Sequence, residues 1–125
     1  MAKILVIDDE AGVRQLLTLV LKMGGHSVIS AEDGETGLEL ASREDAHLAF
    51  VDIHLPGLDG LDVMQRLRKS KPELRLVATT GGSSDLRLEQ ACARPSGPDA
   101  VLTKPFKKQD LLDMVDRVLS PKGDA

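Results

Sequence analysis

The chain has 125 residues and a mass of 13.4 kDa, with 42% hydrophobic and 29% charged residues, which suits one soluble domain around one core and leaves no room for a second. A net charge of −4 and only two aromatics, Phe50 and Phe106, exclude sequence-independent nucleic-acid binding and base-stacking platforms. A single cysteine, Cys92, excludes an internal disulfide, and no stretch approaches the ~18 apolar residues of a membrane span or reads as a signal sequence, so a cytoplasmic protein without membrane insertion is expected.

The first apolar run, residues 4–7, is unalternated and rich in branched side chains, as expected of a strand buried on both faces. Val13, Leu16, Leu17, Val20 and Leu21 follow at helical spacing, and Gly24-Gly25 supplies a left-handed stop. Residues 27–30 read as a shorter strand with polar ends, suited to a sheet edge, and Asp33 can cap a helix carrying Leu38, Leu40 and Ala41. Residues 48–51 are apolar throughout and so central. Asp59 then caps a helix that turns Leu61, Met64 and Leu67 inward.

Residues 74–78 form a fourth strand, and Ser83 or Ser84 starts a weak helix through Leu88, Ala91 and Cys92 that Pro95 must end. Residues 100–102 form a fifth strand, and the last helix places Leu111, Leu112, Val115, Val118 and Leu119 on one stripe. Strict alternation of strands and helices predicts a doubly wound α/β domain, a flavodoxin-like (βα)5 with a five-stranded parallel sheet. The most apolar strands belong in the middle, which gives the order 2-1-3-4-5 and a topological switch point between strands 1 and 3. The domain is expected to occupy residues 1–120, with a polar tail over 121–125.

In such sheets, ligands bind beyond the carboxyl ends of the strands at the switch point. The residues there are Asp8 and Asp9, Asp52, Thr80 and Lys104, which gathers three carboxylates, a hydroxyl and an ammonium. The charge distribution agrees: residues 1–60 carry eleven acids against four bases, and residues 61–125 nine acids against twelve bases. At about 5 Å and an effective dielectric near 20, each carboxylate pair repels by roughly 3 kcal/mol. A hard divalent cation offsets that, and Mg²⁺ suits a few carboxylates, a carbonyl and a phosphate.

This constellation resembles the receiver domains of two-component response regulators, the single-domain, chemotaxis-regulator-like members being nearest in length. The resemblance runs from about Lys3 to Leu119 and rests on Asp8-Asp9 after ILVI, the VDIHLPGLDG segment, Thr80-Gly81 after strand 4, and Lys104-Pro105-Phe106. It implies that Asp52 is the phosphoacceptor, forming an aspartyl phosphate in a Mg²⁺-dependent reaction. It also implies that Asp9, Asp52 and the backbone carbonyl of His54 ligate Mg²⁺, with Asp8 acting through a water. Lys104 and the Thr80 hydroxyl would contact the phosphoryl group, with Gly81 keeping access open. The phosphoryl donor would be a histidine kinase or a histidine phosphotransfer protein.

Several residues carry other expectations. Glu10 reads as an acid at a helix start rather than a ligand, and Thr79 matches Thr80 in chemical type, the following Gly81 favouring Thr80. His26 and His47 fall at strand starts, on the edge away from the crevice. The residues two past Asp52 and two past Thr80, His54 and Gly82, occupy positions that in receivers modulate dephosphorylation, and Gly82 offers no side-chain help, which implies slow loss of phosphate. Where many receivers have an aromatic, three residues before the lysine, this chain has Val101, so signal is expected to leave by backbone or helix-4 movement. Arg66, Arg68, Lys69, Lys71 and Arg75 read as a solvated helix face.

The expected function is a phosphorelay signal-transduction switch, a phosphoprotein that is no enzyme beyond promoting its own phosphorylation and dephosphorylation. The sequence continues only six residues past its last helix, so an unknown downstream protein target is expected to be reached by binding. The alternatives are a small Mg²⁺-dependent phosphohydrolase with an aspartyl-phosphate intermediate, which needs a substrate cap, and a non-phosphorylated scaffold.

Overall fold

Every apolar run becomes a parallel strand, and the amphipathic segments between them become the crossover helices. In chain order the elements are β1 (Lys3–Ile7), α1 (Ala11–Met23), β2 (Ser27–Ala31), α2 (Gly34–Arg43), β3 (Leu48–Asp52), α3 (Gly60–Ser70), β4 (Arg75–Thr80), α4 (Leu86–Cys92), β5 (Ala100–Thr103) and α5 (Lys108–Leu119). This computed structural model describes residues 2–81 and 86–120. The expected helix start at Ser83 or Ser84, Gly82 and the tail at 121–125 lie outside the described residues. The sheet order is β2-β1-β3-β4-β5, all parallel, as the apolar content of the strands predicts.

Side chains alternate across the strands, so one sheet feeds two cores. Leu5, Ile7, Ala49, Val51, Leu76 and Ala78 meet α2, α3 and α4 on one face. Ile4, Val6, Leu48, Phe50, Val77 and Leu102 meet α1 and α5 on the other. That two-sided burial is why the central strands read as continuous apolar runs.

The helix stripes depart from the expected pattern: Leu38 and Leu40 of α2 and Leu61 of α3 are only half-buried, Cys92 of α4 is exposed, and α1 and α5 are shifted too. α1 buries Leu17, Val20 and Leu21, but Leu16 is 46% exposed. At roughly 100° per residue, Leu16 lies on the flank of a stripe centred on Leu17 and Val20. In α5, Met114 joins Leu111, Val115 and Val118 in the core, whereas Leu112 and Leu119 are only half-buried.

Local signals act where expected. Gly25 ends α1 with φ +90°, and Asp33 accepts from the Thr36 N–H at 2.7 Å at the start of α2. That bond holds the Asp33 carboxyl below its ordinary value. A carboxyl so lowered stabilises the fold above its unfolded pKa, and the contribution is lost as pH falls through the folded value. Asp33→Ala should therefore lower the urea midpoint at neutral pH, and its difference from wild type should close as the pH drops below about 4.

His26 and His47 do more than occupy the surface. Each accepts a backbone N–H through Nδ1, from Ala2 at 3.1 Å and Lys3 at 3.0 Å, and so pins the start of β1. Arg68 also departs from a solvated face: it donates to the carbonyls of Leu74 (2.9 Å) and Gly97 (3.1 Å) and pairs with Asp99 at 3.0 Å. Its neighbours in sequence could not reveal those partners, because two of them lie about thirty residues away.

Candidate functional site

The site follows from strand register. Ile7 pairs with Val51, which brings the next residues, Asp8 and Asp52, side by side where β1 and β3 end. Asp52 in turn pairs with Thr79, and Thr80 with Thr103, the residue before Lys104. β4 and β5 run further than the apolar pattern predicts, so Thr80 is the last residue of its strand rather than the first beyond it. The Lys104 N–H donates to the Thr80 carbonyl at 2.7 Å, which fixes the stem of the lysine.

Lys104 lies among carboxylates. Its Nζ is 2.9 Å from Asp8 Oδ2, 3.4 Å from Asp52 Oδ2 and 3.6 Å from Glu10 Oε1. Burial works against the ammonium, but the hydrogen bond and charge of Asp8, with those of Asp52, outweigh it and raise the Lys104 pKa above its ordinary value. Burial raises Asp8 above the usual carboxylate range, although the Glu10 N–H and Lys104 pull the other way. Asp8 and Asp52 are almost inaccessible to solvent, and Asp52 Oδ1 accepts from the His54 N–H at 2.9 Å.

The oxygens that the structure gathers differ from the expected set in one member. Carboxylate oxygens of Asp8, Glu10 and Asp52 lie within 4.8 Å of one another, whereas Asp9 is exposed. The Glu10 N–H turns back to Asp8 Oδ1 at 2.9 Å, a local turn that brings the Glu10 carboxylate beside Asp8 although Glu10, like Asp9, is exposed. At that separation and an effective dielectric of about 20, each pair repels by roughly 3 kcal/mol, and one ammonium faces three carboxylates. The all-oxygen donor set, two of its members buried, fits a hard divalent cation such as Mg²⁺.

Both threonines are buried, and Thr80 Oγ1 makes no hydrogen bond among the described residues, whereas a buried hydroxyl ordinarily finds a partner. A Cβ at Gly81 would meet nothing within 4 Å among the described residues. Gly60 is the opposite case: a Cβ there would lie 2.0 Å from the Asp52 carbonyl oxygen. Only glycine lets the first turn of α3 rest on the end of β3.

Sequence reasoning missed one contributor. Arg14 Nη1 donates to the Asp8 carbonyl at 2.7 Å, tying α1 to the acidic loop. Its place in the first turn of α1, six residues after Asp8, is the available signal. Val101 is half-buried against the α2–α4 side of the sheet, beside Ala78, and is held as a core side chain.

A family model described as the response regulator receiver domain matches residues 4–116. The chain belongs to the response regulator receiver family. It is 39% identical over 119 residues to the "Probable transcriptional regulator ycf27" of Porphyridium aerugineum, covering 94% of this chain and 48% of that one. It is 35% identical over 117 residues to the "Alkaline phosphatase synthesis transcriptional regulatory protein PhoP" of Bacillus subtilis, covering 94% and 48%. The chain thus spans about half the length of these curated relatives. Among solved structures it resembles the chemotaxis protein CheY4 of Vibrio cholerae, with a TM-score of 0.87 and 27% identity, covering 95% of this chain and 99% of that one.

The receiver is a phosphorelay switch of two-component signal transduction, and the phosphohydrolase alternative is not favoured. Receiver domains are signalling switches and generally not enzymes. No helix among the described residues is long and apolar enough to cross a membrane.

Proposed function

We propose that Asp52 accepts a phosphoryl group from a histidine kinase or histidine phosphotransfer protein, and that the receiver then regulates a protein partner by binding. The observation that carries this reading is the buried Asp52 carboxylate beside the Lys104 ammonium, at strand ends where Thr80, its hydroxyl without a partner among the described residues, closes β4.

A carboxylate oxygen of Asp52 attacks phosphorus. The new P–O bond makes a mixed anhydride, and the bond from phosphorus to the donor imidazole nitrogen breaks with its electron pair leaving on that nitrogen. Lys104, held between Asp8 and Asp52, supplies positive charge to the transferred oxygens, and Thr80 supplies a hydroxyl proton to one of them. Mg²⁺, when bound, neutralises carboxylate and phosphoryl oxygens together. Asp9, Asp52 and the His54 carbonyl would hold it, with Asp8 acting through a water, and Glu10 is the competing donor. Asp9→Asn should weaken Mg²⁺ binding about tenfold in calorimetry and Glu10→Gln much less; the reverse ranking assigns the ligand to Glu10.

The receiver promotes only its own phosphorylation and dephosphorylation. His54 is exposed beside the acceptor, and Gly82 lies outside the described residues. The His54 imidazole can hinder or orient the attacking water, but Gly82 brings no side chain to help it, so the phosphorylated form should be long-lived, and Gly82→Glu should shorten its lifetime in a phosphate-release time course. An unchanged lifetime counts against that role.

Intact-mass analysis after incubation with acetyl phosphate tests the function itself. One phosphoryl group should add in the presence of Mg²⁺, little without it, and generic phosphoesters should not be turned over. A protein that stays unmodified, or that hydrolyses phosphoesters catalytically, overturns the reading.

A further inference from the structure

α4 is joined to the fold unequally at its two ends. Only Leu88 of its seven residues is buried. After the helix, the chain is firmly anchored: Gly97 lies so close to the Ala91 carbonyl that a Cβ would sit 1.9 Å from it. Arg68 grips the Gly97 carbonyl and Asp99, and the Asp99 N–H donates to Leu76 of β4 at 2.7 Å. At the other end, Arg87 Nη1 reaches Asp59 Oδ2 at 2.7 Å, with the arginine side chain 56% and the aspartate 28% exposed.

Asp59 has a second attachment. Its Oδ1 accepts from the Leu61 N–H at 2.8 Å and caps α3, and the next residue, Gly60, rests on the Asp52 carbonyl. The carboxylate that holds Arg87 is therefore tied through two short contacts to residue 52. We propose that the Asp59–Arg87 pair is the latch by which the loop after β3 holds the N-terminal part of α4, and that phosphorylation of Asp52 releases it while the Arg68 clamp serves as the hinge. This rests on the reading of Asp52 as phosphoacceptor.

The energetic scale suits a switch. A well-formed but partly exposed ion pair biases an equilibrium by roughly two- to fivefold, enough to hold one state and weak enough for a phosphoryl group to reverse. Glutamine at 87 removes the charge. Asparagine at 59 removes the partner charge but keeps the helix cap, since Asn caps as well as Asp.

Hydrogen exchange of the α4 segment in wild type, Arg87→Gln, Asp59→Asn and the double variant tests the latch, with and without Mg²⁺ and beryllofluoride as the phosphoryl mimic. Without the mimic, each single variant should exchange two- to fivefold faster than wild type, and the double no faster than the singles. With it, wild type should rise to the variants' level while they stay unchanged. Variants that exchange like wild type, single effects that add, or a wild-type α4 unmoved although residues 52–54 register the mimic, each overturn the proposal. If the mimic leaves residues 52–54 of wild type unaffected, the phosphoacceptor reading and the release step both fail, whereas the variants without mimic still decide whether the pair restrains α4.

Discussion

Lys104→Met should lower the stability of the metal-free protein by about 2–3 kcal/mol, because it removes the cation that, among the described residues, pairs with two buried carboxylates. The gross attractions are larger: at 2.9 Å and an effective dielectric of 20 the contact with Asp8 alone amounts to roughly 6 kcal/mol, most of which the cost of desolvating the charges cancels. What remains in the variant is mutual repulsion among Asp8, Glu10 and Asp52. Two measurements separate this from a loss of packing. Urea denaturation with millimolar Mg²⁺ should recover much of the deficit, since a divalent cation does for the carboxylates what the ammonium did. The deficit should also depend on pH with a definite sign. The Asp8 pKa is raised in the folded protein, so Asp8 favours folding at low pH and the contribution is lost as pH rises through its folded value. Without the ammonium that effect grows, and the deficit should widen from acid to neutral pH. Phosphorylation of the variant by acetyl phosphate should slow about tenfold or more. A variant as stable as wild type at pH 7 without Mg²⁺ would show that Lys104 is not the counter-charge of the site.

Gly60→Ala should be among the most damaging single methyls in the fold, and the one that acts on the acceptor strand. The new Cβ would stand 2.0 Å from the Asp52 carbonyl oxygen and 2.7 Å from the Ile53 Cα, both backbone atoms that no rotamer change can move aside. Either α3 withdraws from β3 or the end of β3 shifts, at a cost of about 3 kcal/mol. Both routes displace Asp52, so loss of stability and loss of phosphorylation should appear together. Gly81→Ala is the matched control, because a Cβ at Gly81 meets nothing and stability should be unchanged. A Gly60→Ala protein with wild-type denaturation midpoint and wild-type phosphorylation would refute the close approach of α3 to the acceptor.

The fold was readable because each layer of signal agreed. Apolar runs without alternation meant two-sided burial, and the relative polarity of residues 27–30 against 48–51 was enough to order the sheet. The convergence of Asp8, Asp52, Thr80 and Lys104 followed from topology alone, since a doubly wound sheet brings its strand ends together. What was not readable depends on side-chain direction and distant partners. Nothing in Asp8-Asp9-Glu10 reveals that Glu10 comes within reach of Lys104; that depends on the backbone turn between residues 8 and 10. Thr79 and Thr80 are chemically alike, and which of them ends the strand depends on how far β4 pairs with β5. Arg68 lay in a basic stretch that reads as solvated, and its role depends on Gly97 and Asp99 arriving from the far side of α4. Leu16 has helical spacing to the core stripe, yet falls just outside it.

The most direct measurement traps the acyl phosphate chemically. Wild type and Asp52→Asn, each treated with acetyl phosphate and Mg²⁺, are reduced with borohydride, which converts an aspartyl phosphate to homoserine, and are then mapped by peptide mass spectrometry. Homoserine at position 52 of wild type and nowhere in the variant is the expected result. Homoserine at position 8 or 9 instead, or no reduced residue in a wild type that has gained a phosphoryl group, would contradict Asp52 as the acceptor.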